Sequence, residues 1–111
     1  MKRYEVRKVD VTVKANRGDV ISNDNIIEIC MVQNESEDYR ELHYFDTLEE
    51  AKAFFDKVSE ANVRVDQTMI KNKFEIRCIF WTYEEVEYDE DDEPCQWFGE
   101  IEISPFMVEV K

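Results

Sequence analysis

Hydrophobic and polar residues alternate along most of this chain with the period of two that is typical of β-strands. The alternation predicts strands over residues 4–15, 41–45, 63–70, 74–88 and 96–110. In the first and the last of these strands the hydrophobic positions change phase, at Arg7-Lys8 and at Ser104-Pro105. A slip of one residue is typical of a β-bulge, and proline also favours an edge position because it donates no ladder hydrogen bond. We therefore expect a bulge at Arg7-Lys8 and a bulge or an edge position at Ser104-Pro105.

A short apolar run, Ile26 to Val32, shows no such alternation. It is rich in β-branched residues and is bounded by polar segments on both sides. A short run of this kind is typical of a strand that is buried on both faces. We expect a central strand here.

The clearest element is an amphipathic helix over about Leu48–Ala61. Thr47, followed three residues later by Glu50, forms a capping box that satisfies free backbone N–H groups at a helix start. One face of the helix is apolar because its residues recur at helical spacing: Leu48, Ala51, Phe55 and Val58. Phe54 and Ala61 widen this apolar stripe. This face is predicted to pack against the sheet.

These elements predict an α+β fold, with a mainly antiparallel sheet of about five to six strands and one helix packed on one face. The connections are too short for parallel crossovers, which favours antiparallel pairing. A length of 111 residues, of which 43% are hydrophobic, indicates a single domain over residues 1–111 with a core of its own.

The formal net charge is −13, and it is unevenly distributed. Residues 1–20 carry +3, residues 21–56 carry −8, residues 57–80 carry +2 and residues 81–111 carry −10. This balance argues against direct binding to nucleic acid or to an anionic membrane, since both need a basic surface. No apolar run approaches the roughly 20 residues of a membrane span, and the first residues lack a signal-peptide pattern. We expect a cytoplasmic protein.

Candidate catalytic residues are sparse. Cys30 and Cys78 lie in apolar stretches and are predicted to be core residues, while the acids near Cys95 should keep its thiol protonated. Three scattered cysteines and one histidine, His43 on a strand, match no zinc or disulfide pattern. With two glycines there is no phosphate-binding loop. We expect no catalytic residue, no metal and no cofactor.

An acidic run stands out near the predicted turn between the last two strands. Eight acids fall within ten residues: Glu84, Glu85, Glu87, Asp89, Glu90, Asp91, Asp92 and Glu93. One interpretation is a solvated hairpin tip that keeps the protein soluble.

A calcium loop is a second interpretation of the acidic run. Positions 1, 3, 5, 7, 9 and 12 of an EF-hand register fall on Asp89, Asp91, Glu93, Cys95, Trp97 and Glu100. However, Pro94 stands where the sharp turn needs glycine, and the flanking segments are predicted strands rather than helices.

The third interpretation is an interaction surface. On an extended hairpin, acids at alternate positions lie about 6.5–7 Å apart, which is comparable to the spacing of phosphates along one DNA strand. The aromatic residues Tyr83, Tyr88, Trp97 and Phe98 would act as anchors beside these acids. A rigid acidic hairpin can therefore occupy a basic nucleic-acid groove.

The sequence thus favours a non-catalytic domain that binds another protein, one with a basic nucleic-acid-binding surface. Small acidic inhibitors from phages and mobile elements, of the anti-CRISPR and anti-restriction types, are similar in size and charge only; no family motif is present. The predicted contact residues are the eight acids of residues 84–93 with Tyr88 and Trp97. The alternatives are an accessory or adaptor subunit without an inhibitory role, and a small enzyme without a visible motif.

Overall fold

The computed structural model describes residues 2–35, 38–61, 64–91 and 94–111, with side chains for all of these except residues 39, 60–61 and 94–101. The elements are β1 (Lys2–Ala15), β2 (Val20–Ser22), α1 (Ile26–Gln33), β3 (Asp38–Phe45), α2 (Leu48–Ala61), β4 (Arg64–Ile70), β5 (Lys73–Tyr88), β6 (Pro94–Ile103) and β7 (Met107–Glu109). The predicted α+β class with a mainly antiparallel sheet is confirmed.

The main sheet is curled and has five antiparallel strands built around β5. β1 pairs with β5 along one edge over nearly its whole length, and β3 pairs with the far edge of β1. On the other edge of β5, β4 pairs with the first part of the strand and β6 with the last part. β2 and β7 form a second, two-stranded sheet.

The expected bulge lies in the β1–β3 pair rather than in β1 itself, because the register shifts between Lys8 and Val9 and the extra residue is Arg40 of β3. The register of β1 with β5 is continuous from Lys2 to Ala15. Near its start β1 buries Val6 on the face covered by α2, and further along it buries Val11 on the opposite face, in the core with α1. The hydrophobic phase changes because the two ends of one long strand are covered on opposite faces.

α2 has the predicted bounds and cap, since the Glu50 N–H donates to the Thr47 hydroxyl oxygen at 3.3 Å. Ala51 and Phe55 are buried as predicted, whereas Leu48 is 47% exposed. Phe54 packs in its place, with its ring 5.8 Å from that of Trp81 in an edge-on arrangement. The inward face therefore lies on the Phe54 side of the predicted stripe, and Leu48 is the predicted residue that it leaves out.

α1 corrects the strand expected at Ile26 to Val32. Ile26 and Cys30, one helical turn apart, are both buried in the core beside β1 and β5. Asn34 ends the helix in the left-handed conformation, at φ 54°, which is a common C-terminal cap. Met31 and Val32 are exposed, so the helix is apolar on both sides and lacks the periodicity that would identify it.

The chain leaves the main sheet at Ser104-Pro105. Ser104 is fully buried, and its hydroxyl accepts from the Trp81 N–H at 2.7 Å and donates to the Trp81 carbonyl at 2.9 Å. Phe106 then stacks on Phe80 at 5.4 Å, in the core beside α1. The single strand predicted over residues 96–110, with a bulge or edge position at Ser104-Pro105, is therefore wrong. Ser104-Pro105 lies between two strands, β6 and β7, which belong to different sheets.

Candidate functional site

The acidic β5–β6 turn projects from the end of the longest strand of a molecule that measures about 50 × 27 × 20 Å. Asp89, Glu90 and Asp91 are all exposed there. The carboxylate of Asp89 accepts the N–H of Asp91 at 2.9 Å, which holds the first part of the turn. Asp92 and Glu93 lie outside the described residues.

Glu84 does not belong to this exposed group. It is 6% exposed and lies opposite Glu5, which is 2% exposed, in the β1–β5 register. The guanidinium of Arg7 contacts both carboxylates. The Arg7 guanidinium compensates part of the hydration that these two buried carboxylates lose.

Glu85 and Glu87 are half-buried and lie on the opposite face of β5 from Glu84. Glu85 accepts a hydrogen bond from the Tyr4 hydroxyl at 3.1 Å and lies 3.8 Å from the Lys2 amine. The hydrogen bond to Glu85 raises the pKa of Tyr4. These contacts partly neutralise the acids nearest the sheet, so the exposed negative charge is greatest at the turn.

Two of the predicted aromatic anchors are buried, since Tyr83 is 9% exposed and Tyr88 is 6% exposed. The Arg3 guanidinium lies 5.1 Å from the centre of the Tyr88 ring, and the ring of Tyr44 lies 6.4 Å away. Tyr44 itself is 52% exposed on the edge strand β3, so it is the accessible aromatic residue of this pair. The backbone of Trp97 pairs with Val86, but its side chain lies outside the description.

The fold gathers most of the acidic charge at one end. The acidic end comprises the described residues 2–8, 41–61, 81–91 and 94–103, which lie beside the second half of β5 or on α2. By sequence these segments contain six basic and fifteen acidic residues, a net charge of −9. The opposite end, residues 9–35, 38–40, 64–80 and 104–111, contains eight basic and nine acidic residues, a net charge of −1.

Acidic residues at the start of α2 and just before it add to the negative charge of the β5–β6 turn. The sequence alone did not show that these two groups of acids lie at the same end of the molecule. Asp46, Glu49 and Glu50 are exposed at the start of α2. They reach the acidic end because β3 returns beside β1 until Phe45 lies opposite Tyr4. In the sequence, these two groups of acids are about 40 residues apart.

The other candidate residues with described side chains, His43, Cys30 and Cys78, pack against neighbouring residues. His43 lies on the edge strand as predicted, 3.2 Å from a Glu41 carboxylate oxygen and with its ring 4.6 Å from that of Phe54. Cys30 and Cys78 are buried core residues, as predicted. Burial, with a smaller contribution from nearby Cys30, raises the pKa of Cys78 to about 12, so its reactive thiolate form is scarce. Across the described residues, no three His, Cys, Asp or Glu side chains are grouped to hold a metal ion.

Comparisons with family models, curated proteins and solved structures returned no match. In the part of the chain that the structure describes, neither helix has the length and apolar character needed to cross a membrane. The geometry of the acidic end is therefore the basis for a functional proposal.

Proposed function

We propose that this protein is a non-catalytic, acidic protein-binding domain whose acidic end occupies the basic nucleic-acid-binding surface of a partner, as an inhibitor of a nuclease would. The observation that carries the proposal is the concentration of charge: −9 at the acidic end against −1 at the opposite end. Like charges gathered in this way repel one another, and a cationic groove would relieve that repulsion.

The exposed acids also have the right arrangement to guide an encounter. Asp89, Glu90 and Asp91 project at the tip of a hairpin whose strands are paired from Thr82 to Tyr88. The paired strands place these three acids close together at one end of the hairpin, which concentrates negative charge there. Charges at such an exposed rim act mainly by accelerating association, by an amount that falls as salt rises.

A charge-reversal pair tests the proposal. The variant Glu90→Lys/Asp91→Lys changes the net charge by four and spares Asp89, whose carboxylate holds the turn. Its matched control, Asp24→Lys/Glu109→Lys, makes the same change at two exposed acids of the opposite end. The partner is first captured from bacterial lysate that expresses candidate nucleases, and association rates are then measured from about 50 to 300 mM salt.

We expect the turn variant to associate about tenfold more slowly at low salt and with a flatter salt dependence, while the control behaves as wild type. Duplex DNA should also compete with the wild-type protein for the partner, because both occupy one surface. Wild-type rates in the turn variant, or capture that saturating DNA does not reduce, would contradict the proposal.

An adaptor role is the second candidate, and one observation favours it. Met31 and Val32 on α1 are 76% and 81% exposed at the opposite end, where the net charge is small. Adjacent exposed apolar side chains are typical of a contact surface that does not depend on charge. An adaptor would bind its partner through α1 and leave the partner's nucleic-acid binding intact, which the DNA competition distinguishes.

A further inference from the structure

β3 is the outermost strand on one side of the main sheet, and one of its two edges is open. The inner edge pairs with β1. Across the described residues, no strand pairs with the outer edge. The side chains of Leu42 and Tyr44 on this strand are 41% and 52% exposed, so nothing covers them. An open edge presents backbone N–H and C=O groups with which another strand can pair.

The register of the sheet shows which backbone groups of β3 point outward. The Gln33 side chain binds the N–H and C=O of Lys14 at 2.8 and 2.7 Å, so this backbone faces away from β5. Every second residue of a strand directs its backbone to the same edge, and β1 pairs with β5 without a break, so Val6 also faces β3. Val6 lies opposite His43, which therefore directs its own N–H and C=O to β1. The residues on either side of His43 direct theirs outward.

These outward groups belong to Leu42 and Tyr44. They provide two donors and two acceptors at alternate positions of one strand. No hydrogen bond joins them to the backbone of another described residue. An extended segment added to a sheet edge makes its hydrogen bonds to alternate residues in this way.

The usual protections of an edge strand are only partly present on β3. Natural edge strands are commonly protected by lysine, by proline or by a β-bulge. β3 has its bulge at Arg40, and from Glu41 to Phe45 it pairs in regular register. This five-residue stretch contains neither lysine nor proline. The open edge is therefore the part of β3 from Glu41 to Phe45.

The charge around the open edge indicates what can occupy it. Residues 41–50, which comprise this stretch and the start of α2, contain four acids and no lysine or arginine. They belong to the acidic end, whose net charge is −9 with its six basic residues included. A second copy of β3 would bring two acidic segments together, and like charges repel. A segment that carries lysine or arginine is attracted instead.

The two faces of β3 define the pattern of residues in such a segment. Leu42 and Tyr44 lie on one face and offer exposed apolar contacts. Glu41 and His43 lie on the other face, where the ring of His43 packs against Phe54 of α2 at 4.6 Å. Residues that are opposite each other on neighbouring strands share a face. A strand that alternates apolar and basic residues therefore places its apolar side chains beside Leu42 and Tyr44 and a basic side chain beside Glu41.

We propose that the outer edge of β3, from Glu41 to Phe45, binds an extended segment of a partner protein as an added strand, and that apolar and basic residues alternate in this segment. This contact deepens the proposed function and rests on it only for the cationic character of the partner. A peptide tests it in the absence of the partner, so either proposal can fail while the other holds.

The test is a titration of the full-length, ¹⁵N-labelled protein with the peptide acetyl-Thr-Lys-Val-Lys-Val-Lys-Thr-amide. We expect it to shift the amide signals of Leu42 and Tyr44 to saturation, with a Kd of about 1 mM or tighter. Hydrogen exchange of both amides should slow at saturation, because their N–H groups gain acceptors. The same peptide with glutamate in place of lysine should bind at least about tenfold more weakly.

N-methylation of the peptide tests the backbone contact without changing the protein. One peptide carries N-methyl groups on both valines, and its isomer carries them on two of the lysines. Neighbouring residues of a strand direct their N–H groups to opposite edges, so only one isomer loses the donors that face β3. We expect that isomer to bind at least about tenfold more weakly than the unmodified peptide, and the other to bind within about threefold of it.

A protein variant tests the same contact from the side of β3. Leu42→Pro removes an outward N–H and no hydrogen bond to β1, and proline is tolerated at such an edge position. Its matched control, Leu42→Val, keeps the N–H. We expect Leu42→Pro to weaken binding of the unmodified peptide about tenfold and Leu42→Val to bind as wild type. The N-methylated peptides give the answer even if Leu42→Pro does not fold.

Four results would overturn the proposal. They are the absence of saturation with the lysine peptide, equal binding of the glutamate peptide, equal binding of the two N-methylated isomers, and slow exchange of the Leu42 and Tyr44 amides in the free protein that increases with protein concentration. The last result would assign the edge to a second copy of this chain.

Discussion

At the scale of single residues, Asp10 is the group whose environment changes its chemistry most clearly. The hydrogen bonds from Arg77, and next those from Arg40, lower the pKa of Asp10 to about 2, in spite of burial, which acts in the opposite direction. The ionised form is therefore favoured in the folded state. Folding gains stability from Asp10 at pH values above the ordinary carboxyl pKa, and this gain is lost as the pH falls through about 2.

We predict that Asp10→Asn destabilises the protein at neutral pH and that the difference from wild type shrinks between about pH 4 and pH 2. At neutral pH the ionisation of Asp10 should contribute on the order of 1–2 kcal/mol, because both arginines remain partly exposed to solvent screening. Urea denaturation of both proteins across this pH range measures the difference. Asp24→Asn, at an exposed acid, is the control; a constant difference for Asp10→Asn at every pH would show that its charge is unimportant.

At the scale of elements, α2 and α1 show two ways in which a helix is specified. α2 has a capping residue and a one-sided apolar stripe, so its existence follows from positions within the segment itself. α1 carries apolar residues on both its buried and its exposed sides, and it is helical because the core beside β1 and β5 accepts Ile26 and Cys30 one turn apart. On its local pattern alone, the apolar run Ile26 to Val32 fits a buried strand equally well.

The α2 interface yields a prediction with an internal control. Phe55 is 5% exposed and its ring meets that of Tyr83 edge-on at 5.0 Å, so Phe55→Ala should reduce the free energy of unfolding by about 3–5 kcal/mol. Leu48→Ala on the same helix should cost less than about 1 kcal/mol, since Leu48 is exposed. Urea denaturation measures the free energy of unfolding of both variants. Equal losses would show that the inward face of α2 is assigned incorrectly.

At the scale of the whole molecule, the dominant property is the separation of charge between the two ends. The long β1–β5 pair carries this separation, because the turn of the acidic hairpin and the start of α2 lie at one end of it. The electrostatic field is therefore directional, which favours one orientation when a cationic partner approaches.

We predict that the isolated protein does not bind duplex DNA or RNA at physiological salt. The acidic end repels the phosphate backbone, and the opposite end is itself close to neutral. A gel shift with a plain duplex at about 150 mM salt is the measurement, with a basic DNA-binding protein as the positive control. Sub-micromolar binding would show that the basic residues of the opposite end form a continuous patch.

The sequence by itself determined the features whose physical causes lie within a few residues. These include α2, whose cap and apolar stripe lie within the segment, and the alternation of β5. The antiparallel class followed from short connections, and the burial of Cys30 and Cys78 followed from their apolar neighbours.

Only the tertiary structure decided which acids face solvent and which charges act together. Glu84 reads as part of an acidic run, yet it is buried because Arg7 and Glu5 meet it across the β1–β5 pair. Asp10, Arg40 and Arg77 come from three strands, and no spacing along the chain connects them. Burial and charge pairing depend on strand register, and register is a property of distant segments brought together rather than of any segment alone.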